Sequence, residues 1–286
     1  MTLGITGASG QLASRVLHHL FARSASDVVA ITRNPSKVDS TGRQSLQVRP
    51  GDFNDRAGIA KSLAGIDRLL MIPASELMPG VRPRQHQTAI DAAVDAGVGH
   101  VIYVSSIGAR PGPRDGILET HFFTEQALIA SGLPWTFIRM NIYADFQIDG
   151  VKRAIASGEY AAPDGAPYAY VVRDDLAALA AVILATPGHE GVTYHASGAE
   201  SVTHAQIAEA VSKAIGKPIR YTPRTPEQSE AGLVAAGLPP PIVDVLVRSQ
   251  KAGRDGAFDL VTGDIERHTG RRAQSAMDFI VRAVQP

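Results

Sequence analysis

Two glycines, Gly7 and Gly10, lie in the run Thr6-Gly7-Ala8-Ser9-Gly10-Gln11-Leu12-Ala13. An apolar segment, Met1 to Ile5, precedes the run, and Leu12, Val16, Leu17 and Leu20 then recur at helical spacing. Strand, glycine turn and helix in that order make a cradle for a pyrophosphate. Gly7 allows a turn too tight for a Cβ, and Gly10 lets the backbone approach a phosphate. Ala13, in the place of a third glycine, is small enough for the helix to lie close on the strand. The helix start adds unpaired N–H groups and a partial positive charge. Thr6, Gly7, Ser9, Gly10, Gln11 and Leu12 are therefore expected to hold a dinucleotide.

Three further positions follow from that expectation. The apolar run Val28 to Thr32 ends on Arg33, where an acidic residue would bind a free ribose 2′-hydroxyl. A planar cationic fork suits a 2′-phosphate instead, so Arg33 points to NADP. Lys37 offers either a second positive charge there or a solvated lysine. Asp52, after the apolar segment Leu46 to Val48, either accepts from the adenine amino group or caps the helix that starts near Asp55. Pro73, past the strand Asp67 to Ile72, falls where the chain passes the ribose and nicotinamide half of the cofactor, and Ser105, late in the strand His100 to Ser106, emerges at the ligand end.

A second group of residues has the types expected around a reacting ligand. His121 and Glu125 stand four apart on a helix, Ile117 to Ser131, and so share a face. His121 can line a substrate pocket, and a proton can come from solvent, from His121 or from Tyr143; Glu125 reads as structural, orienting His121 or holding the next loop. Asn141 and Tyr143 follow the strand Pro134 to Arg139. Asn141 can hydrogen-bond a carboxamide or substrate, and Tyr143 can stack on an aromatic ring or belong to the core. Phe146 fits pocket wall or core equally, and Tyr103 reads as buried in its strand.

Several chemistries are excluded by composition. The 286 residues include no cysteine, so there is no disulfide, thiolate metal site or cysteine nucleophile. Lysine plus arginine, 28, equals aspartate plus glutamate, 28, which gives no field toward nucleic acid or an anionic membrane. No G-x-S-x-G elbow or metal-spaced histidine cluster occurs, and the adjacent His18 and His19 point apart on a helix. No apolar run has the length of a membrane span, and the strand at the N-terminus leaves no room for a signal peptide, so a soluble, cytoplasmic protein is expected.

Six apolar strands alternating with helices predict an α/β, Rossmann-type doubly wound parallel sheet in residues 1–141. Residues 168–197 are expected to return to it, with a strand at Thr193 to Ala196. Residues 142–167 and 198–286 then form a smaller, mainly helical cap. Within these parts, Met78 to Pro83 reads as a lid loop, Tyr143 to Ala156 as one helix, Gly158 to Pro167 as a loop, and the chain beyond Ser201 as mostly helical.

The T-G-A-S-G-Q-L opening, R-N-P after the second strand, G-D after the third, H-x-x-x-E and L-P-W-T-F-I-R-x-N-x-Y together resemble the NmrA-like group of atypical short-chain dehydrogenase/reductases. Within that group the chain is most similar to the bacterial quinone oxidoreductase and triphenylmethane-dye reductase branch, over nearly its whole length. The resemblance implies an NADP-binding fold with a small substrate cap, and reduction of a flat electrophilic acceptor, quinoid or aromatic. It allows a homodimer. It also leaves open a non-catalytic NADP-binding regulator, or an isomerase or dehydratase that uses the cofactor internally. Standard members of the superfamily use a tyrosine and a lysine on the helix that here carries His121 and Glu125. No lysine lies between Lys61 and Lys152, so the usual tyrosine–lysine proton relay is missing. An electron-poor acceptor needs mainly proximity and orientation.

Overall fold

The central strands are those with the least polar sequence. Strands β1 (Leu3–Thr6), β2 (Val28–Thr32), β4 (Arg68–Met71) and β5 (His100–Ser106) are buried at every residue. Parallel strands covered by helices on both faces lose the alternation of a half-exposed sheet, which accounts for their continuous apolar runs. In the computed structural model, which describes residues 1–41 and 44–285, they belong to a seven-stranded sheet. The other strands are β3 (Leu46–Pro50), β6 (Trp135–Met140) and β8 (Val192–Ala196), in the order β3-β2-β1-β4-β5-β6-β8. β1 runs parallel to both β2 and β4. The strand order reverses between β1 and β4, and open α/β sheets bind ligands at the carboxyl ends of the strands there.

The chain divides into two compact units, one of Met1–Arg139 with Leu176–Tyr194 and one of Met140–Asp175 with His195–Pro286. The segment expected to return to the sheet thus splits between them, its helix going to the first unit. In the first unit the helices are α1 (Gln11–Ala22), α2 (Arg56–Leu63), α3 (Val81–Asp95), α4 (Ile117–Ala130) and most of α6 (Arg173–Ala185). Ile31, Ile59, Leu63, Tyr103 and Phe137 are among the side chains of its core. Asp55 caps α2, its side chain accepting from the Gly58 N–H at 2.9 Å.

β4 differs from the apolar strand expected, because Arg68 lies in it and is 6% exposed. Its guanidinium donates to the carbonyls of Ile183, at 2.8 Å, and Thr186, at the C-terminal end of α6. Carbonyls left open at a helix end carry partial negative charge, which matches the cation. The expected Met78 to Pro83 loop is also shorter, since α3 begins at Val81 and takes Pro83 into its first turn, where a missing N–H costs no bond.

The second unit contains α5 (Gln147–Ser157), α7 (His204–Ile215), α8 (Pro226–Ala235), α9 (Pro240–Arg254), α10 (Asp264–Thr269) and α11 (Ala276–Val284). It also contains a parallel pair of strands, β7 (Glu159–Pro163) and β9 (Arg220–Arg224), in segments expected to be loop and helix-rich. Each strand contains a proline and only Thr222 is β-branched, so neither carries the usual strand signature. The expected helix from Tyr143 splits into a short 3-10 turn, Ala144–Phe146, followed by α5. Isolated bridges join Tyr143 with Val171 and Tyr168 with Val202.

Candidate functional site

The glycine turn lies at the carboxyl end of β1, on the reversal in strand order. Gly7 has φ +63°, and its carbonyl accepts from the Gly10 N–H at 2.8 Å. A Cβ on Gly10 would stand 3.1 Å from that carbonyl oxygen, a contact only a shift of the turn could relieve. Gly10 is the N-cap of α1 and no side chain caps the helix start. First-turn N–H groups left open in this way suit a pyrophosphate. Leu12 and Ala13 are buried and seat the helix on the sheet. Gln11, the first residue of α1, is exposed.

Thr6 and Ser9 brace the turn. The buried Thr6 hydroxyl accepts from the Ile72 N–H at 2.9 Å, tying β1 to the end of β4. The Ser9 and Thr32 hydroxyls are 2.8 Å apart and join the turn to the end of β2. Arg33, next along, is exposed and forms no hydrogen bond or ion pair with another described residue. Lys37 lies nearby in sequence in a 3-10 turn, Pro35–Lys37, and is exposed. Asp52 does not cap α2, whose N-cap is Asp55. Asp52 Oδ1 accepts from the backbone and side-chain N–H groups of Asn54, each at 2.9 Å. Pro73 is half-buried at the start of the loop between β4 and α3.

Ser105 points into the protein rather than toward a ligand. It is fully buried and donates to Glu125 Oε1 at 2.6 Å. Glu125 in turn takes a two-pronged bond from Arg139, so it orients Ser105 and Arg139 and not His121.

His121 belongs to a buried polar cluster of the first unit. Arg82 Nη2 is 2.9 Å from His121 Nε2, and Tyr103 Oη is 2.9 Å from Nδ1. A guanidinium can only donate, so Nε2 accepts and Nδ1 carries the proton. Burial, then the charge of Arg82 and the neighbouring His86, holds the His121 pKa well below the ordinary value. His121 is therefore a neutral acceptor at neutral pH, which argues against the expected proton donor. His86 is a second neutral imidazole, depressed by burial and by Arg82. It accepts the Ala74 N–H at Nε2, 3.0 Å, and donates from Nδ1 to Thr124 at 2.9 Å. This bond fixes the backbone just past Pro73. Nothing in the sequence pattern around Arg82 and His86 set them apart from an ordinary helix surface.

Asn141 and Tyr143 belong to the second unit, whereas His121 belongs to the first. Asn141 is fully buried, and both ends of its amide are used: Nδ2 donates to the Phe258 carbonyl at 2.9 Å and Oδ1 accepts from the Ile142 N–H at 2.8 Å. It is a junction of the backbone rather than a free ligand. Tyr143 is 8% exposed, and burial pushes its phenol up, so it is no acid at neutral pH. Arg173 lies 4.5 Å above its ring and is paired with Asp145 at 2.8 Å. Phe146 packs edge-on to Tyr143 at 5.5 Å and is itself 65% exposed, so it is not core.

The sequence model of an NAD(P)H-binding family matches residues 7–187, from the glycine turn to the end of α6. The chain belongs to that family. Quinone oxidoreductase 2 of Escherichia coli is 36% identical over 261 residues, 90% of each chain. The crystal structure of the NADPH-dependent quinone oxidoreductase from Escherichia coli complexed with NADPH superposes with a TM-score of 0.91, at 31% identity, over 99% of this chain and 100% of that one. Triphenylmethane reductase of a Citrobacter species superposes with a TM-score of 0.88, at 29% identity and over 99% of both chains. The resemblance to this branch is borne out. The family's dinucleotide also fits the residues present: a cradle at Gly10 that a Cβ would crowd, and an uncapped helix start above it. Among the described residues no cluster has the makeup of a metal site, and no helix is long and apolar enough to cross a membrane.

Proposed function

We propose that the protein is an NADPH-dependent reductase of a small planar electrophile: a quinone, an aromatic carbonyl or a cationic dye. Bound NADPH supplies a hydride. The chain's own residues bind and orient. Gly7, Gly10 and the start of α1 hold the pyrophosphate through backbone N–H groups, with Thr6 and Ser9 bracing the turn. Arg33, exposed and without a protein partner among the described residues, takes the 2′-phosphate. His86 fixes the backbone at Ala74, beside the strand end where the nicotinamide half is expected.

The observation that carries this reading is the glycine turn with Arg33 one strand away, in a chain related over nine-tenths of its length to a quinone oxidoreductase. The neutral state of His121 and the burial of Tyr143 favour an acceptor that needs no strong acid from the protein. NADPH oxidation should be followed by absorbance against a panel of quinones, triarylmethane dyes and aromatic carbonyls. Turnover with at least one of them is expected. Tight NADPH binding with no turnover across the panel would overturn the reductase and favour a redox sensor.

A further inference from the structure

Among the described residues, arginines that are buried or partly buried meet an answering group. Arg139 meets Glu125, Arg173 meets Asp145, and Arg68 meets the carbonyls at the end of α6. Arg82 is the exception in the first unit. Its Nη2 bonds a neutral imidazole, His121 Nε2, and its buried Nε has no acceptor among the described residues. Arg68 also leaves its Nε unmet, but there the helix end supplies negative potential.

The groups facing Arg82 do not balance its charge. His86 and His121, on α3 and α4, are held neutral by burial, as is the phenol of Tyr103 on β5. Glu125, one turn beyond His121, has both oxygens engaged by Arg139 and Ser105. Glu76, in the loop before α3, accepts from the N–H groups of Leu77 and Met78. Burial disfavours the charged guanidinium. A desolvated cation without a counter-ion is expensive, and such groups are kept where a ligand supplies the charge. Arg82 is the second residue of α3, directly after the loop that leaves the carboxyl end of β4. That strand end adjoins β1 at the reversal in strand order, the ligand end of the sheet.

We propose that Arg82 binds an oxygen of the acceptor and holds the negative charge that reduction places on it, with His121 as the positioning residue that aims the guanidinium. The inference rests on the reductase reading and names the group that recognises the acceptor. A quinone that takes up a hydride, Q + H⁻ → QH⁻, gains two electrons and one proton. One oxygen ends protonated and the other is a phenolate, which a proton from water converts to the hydroquinone. Arg82 pairs with that phenolate. Donors placed where charge develops act strongly in a site shielded from water.

The test uses two probes and the full chain. A hydroxynaphthoquinone that is ionised at neutral pH is titrated calorimetrically against the protein without cofactor, beside the neutral parent naphthoquinone. Arg82→Gln should weaken the anion by about tenfold or more and change the neutral quinone by less than about twofold. Arg82→Lys should recover part of the loss. With NADPH present, Arg82→Gln should lower kcat/KM for quinones by about a hundredfold and leave the NADPH KM unchanged. Because it removes an unmatched cation, the Gln variant should melt no lower than the parent. Equal weakening of both probes, no weakening of either, failure of the parent protein to bind the anion, or a clear drop in melting temperature would overturn the assignment. If no quinone is turned over while the anion still binds through Arg82, the reductase reading fails and the oxyanion site stands.

Discussion

Arg139 grips Glu125 with two parallel bonds, Nε to Oε1 at 2.9 Å and Nη2 to Oε2 at 2.6 Å, and Ser105 adds a third at 2.6 Å. Glu125 is 1% exposed, so its carboxylate depends on these donors. The pair links α4 to the ends of β5 and β6 in the first unit. In sequence, the four-residue spacing of His121 and Glu125 places them on one face of the helix. The structure sends them to different partners, His121 to α3 and β5, Glu125 to β5 and β6.

Removing one side of this pair should cost far more than removing both. Arg139→Met leaves a buried carboxylate without its cation and should lower unfolding free energy by roughly 3 kcal/mol. Arg139→Met combined with Glu125→Leu should recover much of that, because the desolvated charge is gone as well. Urea unfolding of the two single variants and the double variant checks this. Simple additivity would show that the two side chains are independent.

Arg33 should decide between the two nicotinamide cofactors. It is exposed, follows β2, and its hydrogen-bonding capacity is unused by the described residues. Arg33→Ala should raise the KM for NADPH by about ten- to a hundredfold, the scale of a lost charge-assisted pair, while the KM for NADH moves little. Stability should not change, since no described residue bonds to this side chain. A variant with unchanged preference would mean that the 2′-phosphate is held elsewhere.

What the sequence made legible follows a physical pattern. The boundaries of β2 and β5 were readable because strands buried on both faces are continuous apolar runs. The glycine turn was readable because its constraints are local to the backbone. β7 and β9 were not, because each is stabilised by a partner some sixty residues away, Glu159 with Arg220 and Pro163 with Arg224, and not by its own composition. Asp67 to Ile72 reads as an apolar strand in sequence, because the carbonyls of Ile183 and Thr186 that take up the Arg68 guanidinium lie more than a hundred residues away. Asn141 and Ser105 stood at strand ends where ligands gather, yet their polar atoms are spent on Phe258 and Glu125. Residue type and strand position could not distinguish a side chain that faces a ligand from one that closes a buried hydrogen bond.

Acid should unfold the protein through its histidines. His100 is 3% exposed, and burial with the adjacent Arg68 holds its pKa down to about 4, against the opposing pull of Glu190. In the unfolded chain the imidazole titrates near ~6.5, so between these values the unfolded state binds the extra proton. Stability is therefore level above the unfolded pKa, falls as pH drops toward the folded one, and levels off below it. One such site accounts for about 3 kcal/mol over that range. His86, His121 and His204, all depressed chiefly by burial, act in the same direction. Denaturant unfolding at a series of pH values should show this limb, and His100→Gln should make it shallower. A limb of equal slope in the variant would remove His100 from the account.

The second unit gives a prediction in which packing opposes helix propensity. Tyr168 stacks on Tyr170 at 5.0 Å and on Phe258 at 5.6 Å, and Tyr170 Oη bonds His204 Nε2 at 3.0 Å. His204 in turn donates from Nδ1 to the Pro163 carbonyl at 2.9 Å, so the aromatic stack anchors the end of β7. Gly253, in the last turn of α9, lies against the Tyr168 phenol so closely that a Cβ there overlaps the ring oxygen. Alanine in place of a helical glycine ordinarily stabilises by up to ~1 kcal/mol. Here the overlap should outweigh that gain, because the displaced ring is stacked on two other aromatic rings, and overpacking of a closed core costs roughly 1–3 kcal/mol. Gly253→Ala should therefore lower the melting temperature and weaken the near-ultraviolet dichroism of the stacked tyrosines. Tyr168→Phe in the same chain removes the oxygen and should relieve part of the loss. A Gly253→Ala protein more stable than the parent would mean that Tyr168 moves aside at no cost and that the stack does not hold β7.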